Sequence, residues 1–209
     1  MRQKKLGFTD IILTPHYITD YYENNAQDIR VITDSLNKII NQNNININLY
    51  PGMEIYICEN LKELLDNGNV MSLADSNYIL VEFPLNSLPK YIDNILFMLQ
   101  GRGYKVIIAH PERYKAVHDN FDYLLKLKEK GCLLQSNYAS IVGFYGESAK
   151  KTLKKMLKLD LVTFLGTDTH RQGSIYQMMP EIIKKFRKEI SEDKLYELTI
   201  LNPGKIINK

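Results

Sequence analysis

A chain of 209 residues is long enough to bury one sizeable core, and its length favours a single domain spanning residues 1–209. Its 44% hydrophobic and 24% charged residues are those of an ordinary globular protein and exclude a disordered, collagen-like or solenoid chain. The net charge of +3 is spread over stretches where acids alternate with bases, as in Lys126 to Lys130 and Lys184 to Lys188. Such runs are solvated helix faces and not the one-signed, aromatic-interleaved stripe of a nucleic-acid groove.

Short β-branched runs alternate with stretches of helical periodicity. In chain order the pattern predicts a strand over 10–13, a helix over 26–41, a strand over 45–50 and a helix over 60–66. There follow a strand over 78–83, a helix over 88–100, a strand over 105–109 and a helix over 121–129. The last units are a strand over 132–136, a helix over 147–159, a strand over 161–166 and a helix over 180–189. Val31, Leu36, Ile39 and Ile40 repeat at helical spacing in the first helix, as Ile92, Leu96 and Leu99 do in the third. Gly131 stands where a helix C-terminal glycine belongs, and Pro180 is expected to open the last helix. Six βα units in succession predict a parallel sheet, and the nearly continuous apolar strands fit a sheet covered on both faces.

A closed barrel and a doubly wound open sheet both fit that order; the polar residues separate them. Five apolar runs end on metal-ligand types: at His16, at Glu54, at Glu82, at His110, and at Asp168 with His170. A ring of polar run ends is the barrel pattern, whereas an open sheet gathers them at one switch point. Three of the four histidines occupy these ends, while His118 lies in a polar stretch and reads as surface. Asp168 and His170, two apart on extended chain, are expected to point the same way.

Mixed imidazole and carboxylate ligands without cysteine suit Mn, Fe or Zn held for hydrolysis, and Glu54 and Glu82 are the carboxylates placed to bridge two ions. Arg113 and Arg171 are placed to offer forked donors to a phosphoryl group. A cysteine phosphatase is excluded, because the sixth positions after Cys58 and Cys132 hold Leu64 and Tyr138 in place of arginine. Neither a Walker loop, a dinucleotide fingerprint nor a GxSxG elbow occurs. Gly143-Phe144-Tyr145-Gly146 reads as a turn before the helix at Glu147. Two unpaired cysteines point to a reducing cytoplasm. No run approaches the ~18 apolar residues of a membrane span. Met1-Arg2-Gln3-Lys4-Lys5 leads into a strand-like segment without a signal-peptide core.

Thr14-Pro15-His16, Pro51-Gly52-Met53-Glu54-Ile55, Val81-Glu82-Phe83-Pro84, Ile108-Ala109-His110-Pro111-Glu112-Arg113-Tyr114 and Asp168-Thr169-His170 resemble, in order, motifs of the polymerase-and-histidinol-phosphatase (PHP) superfamily. Within it the chain is most similar to the bacterial manganese-dependent protein-tyrosine phosphatases of capsular and exopolysaccharide synthesis. The resemblance implies a distorted (β/α) barrel of seven strands with up to three metal ions. His16, Glu54, Glu82, His110, Asp168 and His170 match its ligand positions, Arg113 a phosphate-contacting arginine, and Arg171 a looser counterpart. It further implies that a first strand carrying His-x-His and a nearby acidic ligand are missing from this chain. An opened barrel exposes sheet edges, which predicts a homo-oligomer or aggregation. The expected substrate is phosphotyrosine on a protein, a tyrosine kinase of polysaccharide export. The alternatives are a small phosphate monoester of the histidinol phosphate type and an inactive regulatory remnant.

Overall fold

The structure is a computed structural model that describes residues 6–171 and 174–207; the stretch from Met1 to Lys5 lies outside the described residues. The chain divides into two compact units, one running to Glu82 and resuming over Lys90–Val106, the other made of Phe83–Pro89 and the chain from Ile107 onward.

The first unit contains β1 (Asp10–Leu13), β2 (His16–Ile18), β3 (Tyr22–Glu23), α1 (Ala26–Gln42), β4 (Asn48–Pro51), β5 (Glu54–Tyr56), α2 (Leu61–Asp66), β6 (Tyr78–Glu82) and α3 (Ile92–Gly101). β1 pairs in parallel with β4, Leu13 opposite Pro51, and β2 pairs in parallel with β5, His16 opposite Glu54. The register offset is the same in both pairs, so one ladder continues through a break at Thr14-Pro15 and Gly52-Met53. Pro15 has no N–H to give the ladder. A Cβ on Gly52 would stand 2.9 Å from Ile12 Cγ2 and 3.0 Å from Leu73 Cδ2, a close approach that only glycine allows. β5 pairs in parallel with β6, Tyr56 opposite Glu82, and β3 folds back antiparallel on β2, Tyr22 opposite Ile18. All five residues of β6 are buried. Removing Ile79, Leu80 and Val81 from water contributes about 1.5–3 kcal/mol each and anchors Glu82 at the strand end.

The second unit contains β7 (Lys105–Ala109), whose first two residues belong to the first unit, then α4 (Lys115–Asp119), α5 (Asp122–Glu129), β8 (Leu133–Asn137), α6 (Glu147–Lys158), β9 (Phe164–Gly166), α7 (Ser174–Glu189), α8 (Glu192–Tyr196) and α9 (Asn202–Ile207). β7 is parallel to β8, and β8 to β9 with Asn137 opposite Gly166. The α/β class and the βα order are those expected from the sequence. Among the described residues no helix is long and apolar enough to cross a membrane.

Several boundaries differ from expectation, and one device explains most of them. A left-handed residue ends the helix, and the N–H of the following residue closes back on the last turn: Ile45 on the Ile40 carbonyl, Cys132 on Leu127, Leu161 on Met156. Asn44, Gly131 and Asp160 are the left-handed residues. The apolar residue that opens each predicted strand is therefore used in capping, and the strands start later, at Asn48, Leu133 and Phe164. Pro180 lies inside α7 and does not open it. Its lost hydrogen bond is offset by a fully covered face of Ile175, Met179, Ile182 and Phe186. α1 forms where predicted, with the Asn25 side chain accepting from Asp28 N–H at 2.8 Å as its cap. Its buried face, however, is Ala26, Ile29, Thr33 and Ile40, while Val31, Leu36 and Ile39 are exposed.

Candidate functional site

In the first unit, strand alternation does the assembling. His16 and Glu54 are register partners on β2 and β5; Tyr56, two residues beyond Glu54, faces the same way and is the partner of Glu82. His16, Glu54 and Glu82 therefore share one sheet face. Their ligand atoms all lie within 4.8 Å of one another, and His16 Nδ1 stands 2.9 Å from Glu82 Oε1. Glu54 and Glu82 are buried and His16 is partly so. Two carboxylates against one imidazole make an oxygen-rich, anionic set in a poorly hydrated place, which fits a hard or borderline divalent ion. His16 and Glu54 open their strands here, whereas the sequence reading has them ending apolar runs; the break at Pro15 and Gly52 starts new strands just before them. Tyr56 is pushed above the usual phenol range, first by burial and then by the Glu82 charge.

The second unit holds the remaining candidates. His110 is buried at the end of β7 in a left-handed conformation, φ 34°, its ring edge-on to Tyr114 at 5.8 Å. Asp168 follows β9 and is also left-handed, φ 47°, so the extended geometry expected for Asp168 and His170 is absent. They meet through a turn: His170 Nδ1 is 3.3 Å from Asp168 Oδ1. The other oxygen, Oδ2, is held by Arg113 Nη1 at 2.8 Å, Asn137 Nδ2 at 2.7 Å and the Tyr145 hydroxyl at 3.4 Å. The three donors engage Oδ2, and Oδ1 lies beside His170. Arg113 is half-buried against Asp168, while Arg171 is exposed. His118 is exposed as expected, its Nε2 donating to the Glu112 carbonyl at 2.7 Å.

Three participants were not legible as such. Glu112 is fully buried, and its Oε1 accepts from the Asn137 N–H at 2.8 Å and the Ser140 hydroxyl at 2.6 Å. Burial pushes its carboxyl up despite those two donors. Glu112 thus ties the turn after β7 to the end of β8, which aims Asn137 at Asp168. Tyr145, in the loop read as punctuation, carries its ring against Arg113, 4.4 Å from Cζ to the centroid. Desolvation pushes its phenol upward, and the Asp168 charge adds to that.

Residues 2–208 match the family described as Capsular polysaccharide synthesis, CpsB/CapC. The chain is 32% identical over 193 residues to the tyrosine-protein phosphatase YwqE of Bacillus subtilis, spanning 92% of this chain and 76% of that one. It is 35% identical over 162 residues to the putative tyrosine-protein phosphatase CapC of Staphylococcus aureus, spanning 78% of this chain and 64% of that one. Among solved structures it superimposes with a TM-score of 0.90 at 30% identity, covering 98% of this chain and 83% of the other. That structure is described with YwqE from Bacillus subtilis and CpsB from Streptococcus pneumoniae, unique metal-dependent tyrosine phosphatases.

Proposed function

Because the chain belongs to the CpsB/CapC family of capsular polysaccharide synthesis, we propose that it hydrolyses phosphotyrosine on proteins with the help of divalent metal ions. The observation that carries this reading is the convergence of His16, Glu54 and Glu82, a ligand set with no cysteine, on a chain whose relatives are tyrosine phosphatases. His16, Glu54, Glu82, His110, Asp168 and His170 are the proposed ligands, and manganese, iron or zinc suits their chemistry. Such ions supply positive charge against the phosphoryl oxygens and a water of lowered pKa.

The protein's own residues do the rest. Arg113 offers parallel N–H donors to the phosphoryl group, and Asp168 keeps its guanidinium in place. Arg171, exposed after the ligand turn, is proposed as a second, weaker anion contact. The substrate proposed is the tyrosine-phosphorylated kinase of a polysaccharide-assembly system, in line with the family description. The test is turnover by the manganese-loaded chain of a phosphotyrosyl peptide against histidinol phosphate, with and without a chelator. Higher kcat/KM on the peptide, lost on chelation, supports the reading. Preference for histidinol phosphate, or turnover indifferent to chelator, refutes it.

A further inference from the structure

The loop between Gly143 and Gly146 has a glycine of positive φ at each end, 83° and 96°, which turns the chain sharply into α6. That turn brings Phe144 and Tyr145 together edge-on at 5.0 Å between ring centroids. The Tyr145 ring then lies under the Arg113 guanidinium at 4.4 Å, while its hydroxyl reaches Asp168 Oδ2 at 3.4 Å, the oxygen that also accepts from Arg113 Nη1. Arg113 is thereby held at one face by an aromatic ring and at one edge by a carboxylate.

We propose that Tyr145 is a positioning residue that keeps Arg113 as a preformed clamp for the dianionic phosphoryl group, an inference that rests on the phosphatase reading above. An arginine side chain has several rotatable bonds, and binding a phosphate through a loose one costs the entropy of ordering it. Stacking on the ring and the bond from Nη1 remove that freedom beforehand. They also decide which donors remain: the Nε and Nη2 N–H groups form the edge that matches two phosphoryl oxygens in parallel. A partly exposed Arg113, with 23% of its side chain accessible, leaves that edge open to a ligand. Cation–π support is strongest where water is scarce, and Asp168 beside it is 6% exposed at the side chain.

The test uses the full chain loaded with manganese, inorganic phosphate as the probe by calorimetry, and steady-state turnover of a phosphotyrosyl peptide. Tyr145→Leu is expected to weaken phosphate binding about tenfold and to raise KM far more than it lowers kcat. Tyr145→Phe keeps the ring and is expected to stay within about threefold of the wild type. In an Arg113→Lys background the Leu substitution should cost no more than about twofold, because the stacked partner is gone. Melting temperature and manganese content, measured on each variant, identify a folding failure, and Tyr145→Met replaces the Leu variant in that case. Wild-type phosphate affinity in the Leu or Met variant overturns the proposal. So does a Phe variant as weak as the Leu variant, or a Leu effect that is undiminished in the Arg113→Lys background. A wild type that binds phosphate in this ring-dependent way yet leaves the peptide intact supports the clamp and refutes the phosphatase reading, so the two failures are distinguishable.

Discussion

The two units hold their acidic groups in opposite ways. Around His16 the first unit gathers two buried carboxylates and one imidazole on a single sheet face, all contributed by strands. Around Asp168 the second unit surrounds one carboxylate with an arginine, an amide, a phenol and an imidazole, the amide from the last residue of β8 and the others from turns after strands and a loop. The first arrangement sets two carboxylates against one imidazole, a set suited to a cation. The second already has its counter-charge, and its arginine is the group left to meet an anion. What surrounds the carboxylates thus differs between the two units, and in the second the proposed ligand Asp168 also holds the arginine proposed to meet an anion.

The largest effect expected from this contrast is at the strand-borne set. His16→Ala should reduce peptide turnover by more than the roughly 10- to 100-fold that loss of a supporting hydrogen bond near a metal costs. Excess manganese should recover part of it; a variant with wild-type turnover at limiting metal would remove His16 from the set. Next comes Arg113→Lys, which keeps the charge and loses the fork. Hydrogen bonds to charged groups contribute about 1.5–3 kcal/mol, so kcat/KM on the peptide should fall about 10- to 100-fold. Metal content, read by mass spectrometry, should not change, and a fall in metal instead would make Arg113 a support of the ligands.

Asn137→Ala removes one donor from Asp168 and should cost about tenfold in kcat/KM, at the lower end for a residue that orients a ligand. An unchanged pH-rate profile and activity would make the amide merely structural. The smallest effect is on stability. The carboxyl of Glu112 is raised by burial above its ordinary value of 4.5, so the folded protein holds that proton to higher pH than the unfolded chain does. Its contribution is complete below the unfolded value and is lost as pH rises through the folded one. Denaturant midpoints should therefore fall more for the wild type than for Glu112→Gln as pH rises above the ordinary value of 4.5. Parallel midpoints would show that the carboxyl is not shifted.

The same contrast explains what was legible in the sequence. Strand-borne candidates announce themselves, because the apolar runs that lead to His16, Glu54 and Glu82 are visible in one dimension. The βα order was legible for the same reason. Supports that act across the chain are not: Glu112, Asn137 and Tyr145 gain their roles from hydrogen bonds and ring contacts between residues 23 to 32 positions apart. Strand starts were misplaced wherever a helix borrowed the next apolar residue for its cap, as at Ile45 and Leu161. Periodicity found α1 but not its buried face, since apolar residues lie on more than one side of it and only packing selects Ile29 and Ile40 over Val31 and Ile39.

That His16, Glu54 and Glu82 hold a divalent ion needed for hydrolysis is tested most directly by manganese titration of the metal-free chain, followed by electron paramagnetic resonance. The wild type is compared with Glu54→Gln combined with Glu82→Gln, and peptide turnover is read on the same samples. The paired substitution is expected to remove tightly held manganese and turnover together while the fold, by circular dichroism, stays intact. Tight manganese binding of equal stoichiometry in both proteins, or full turnover by the substituted one, would contradict it.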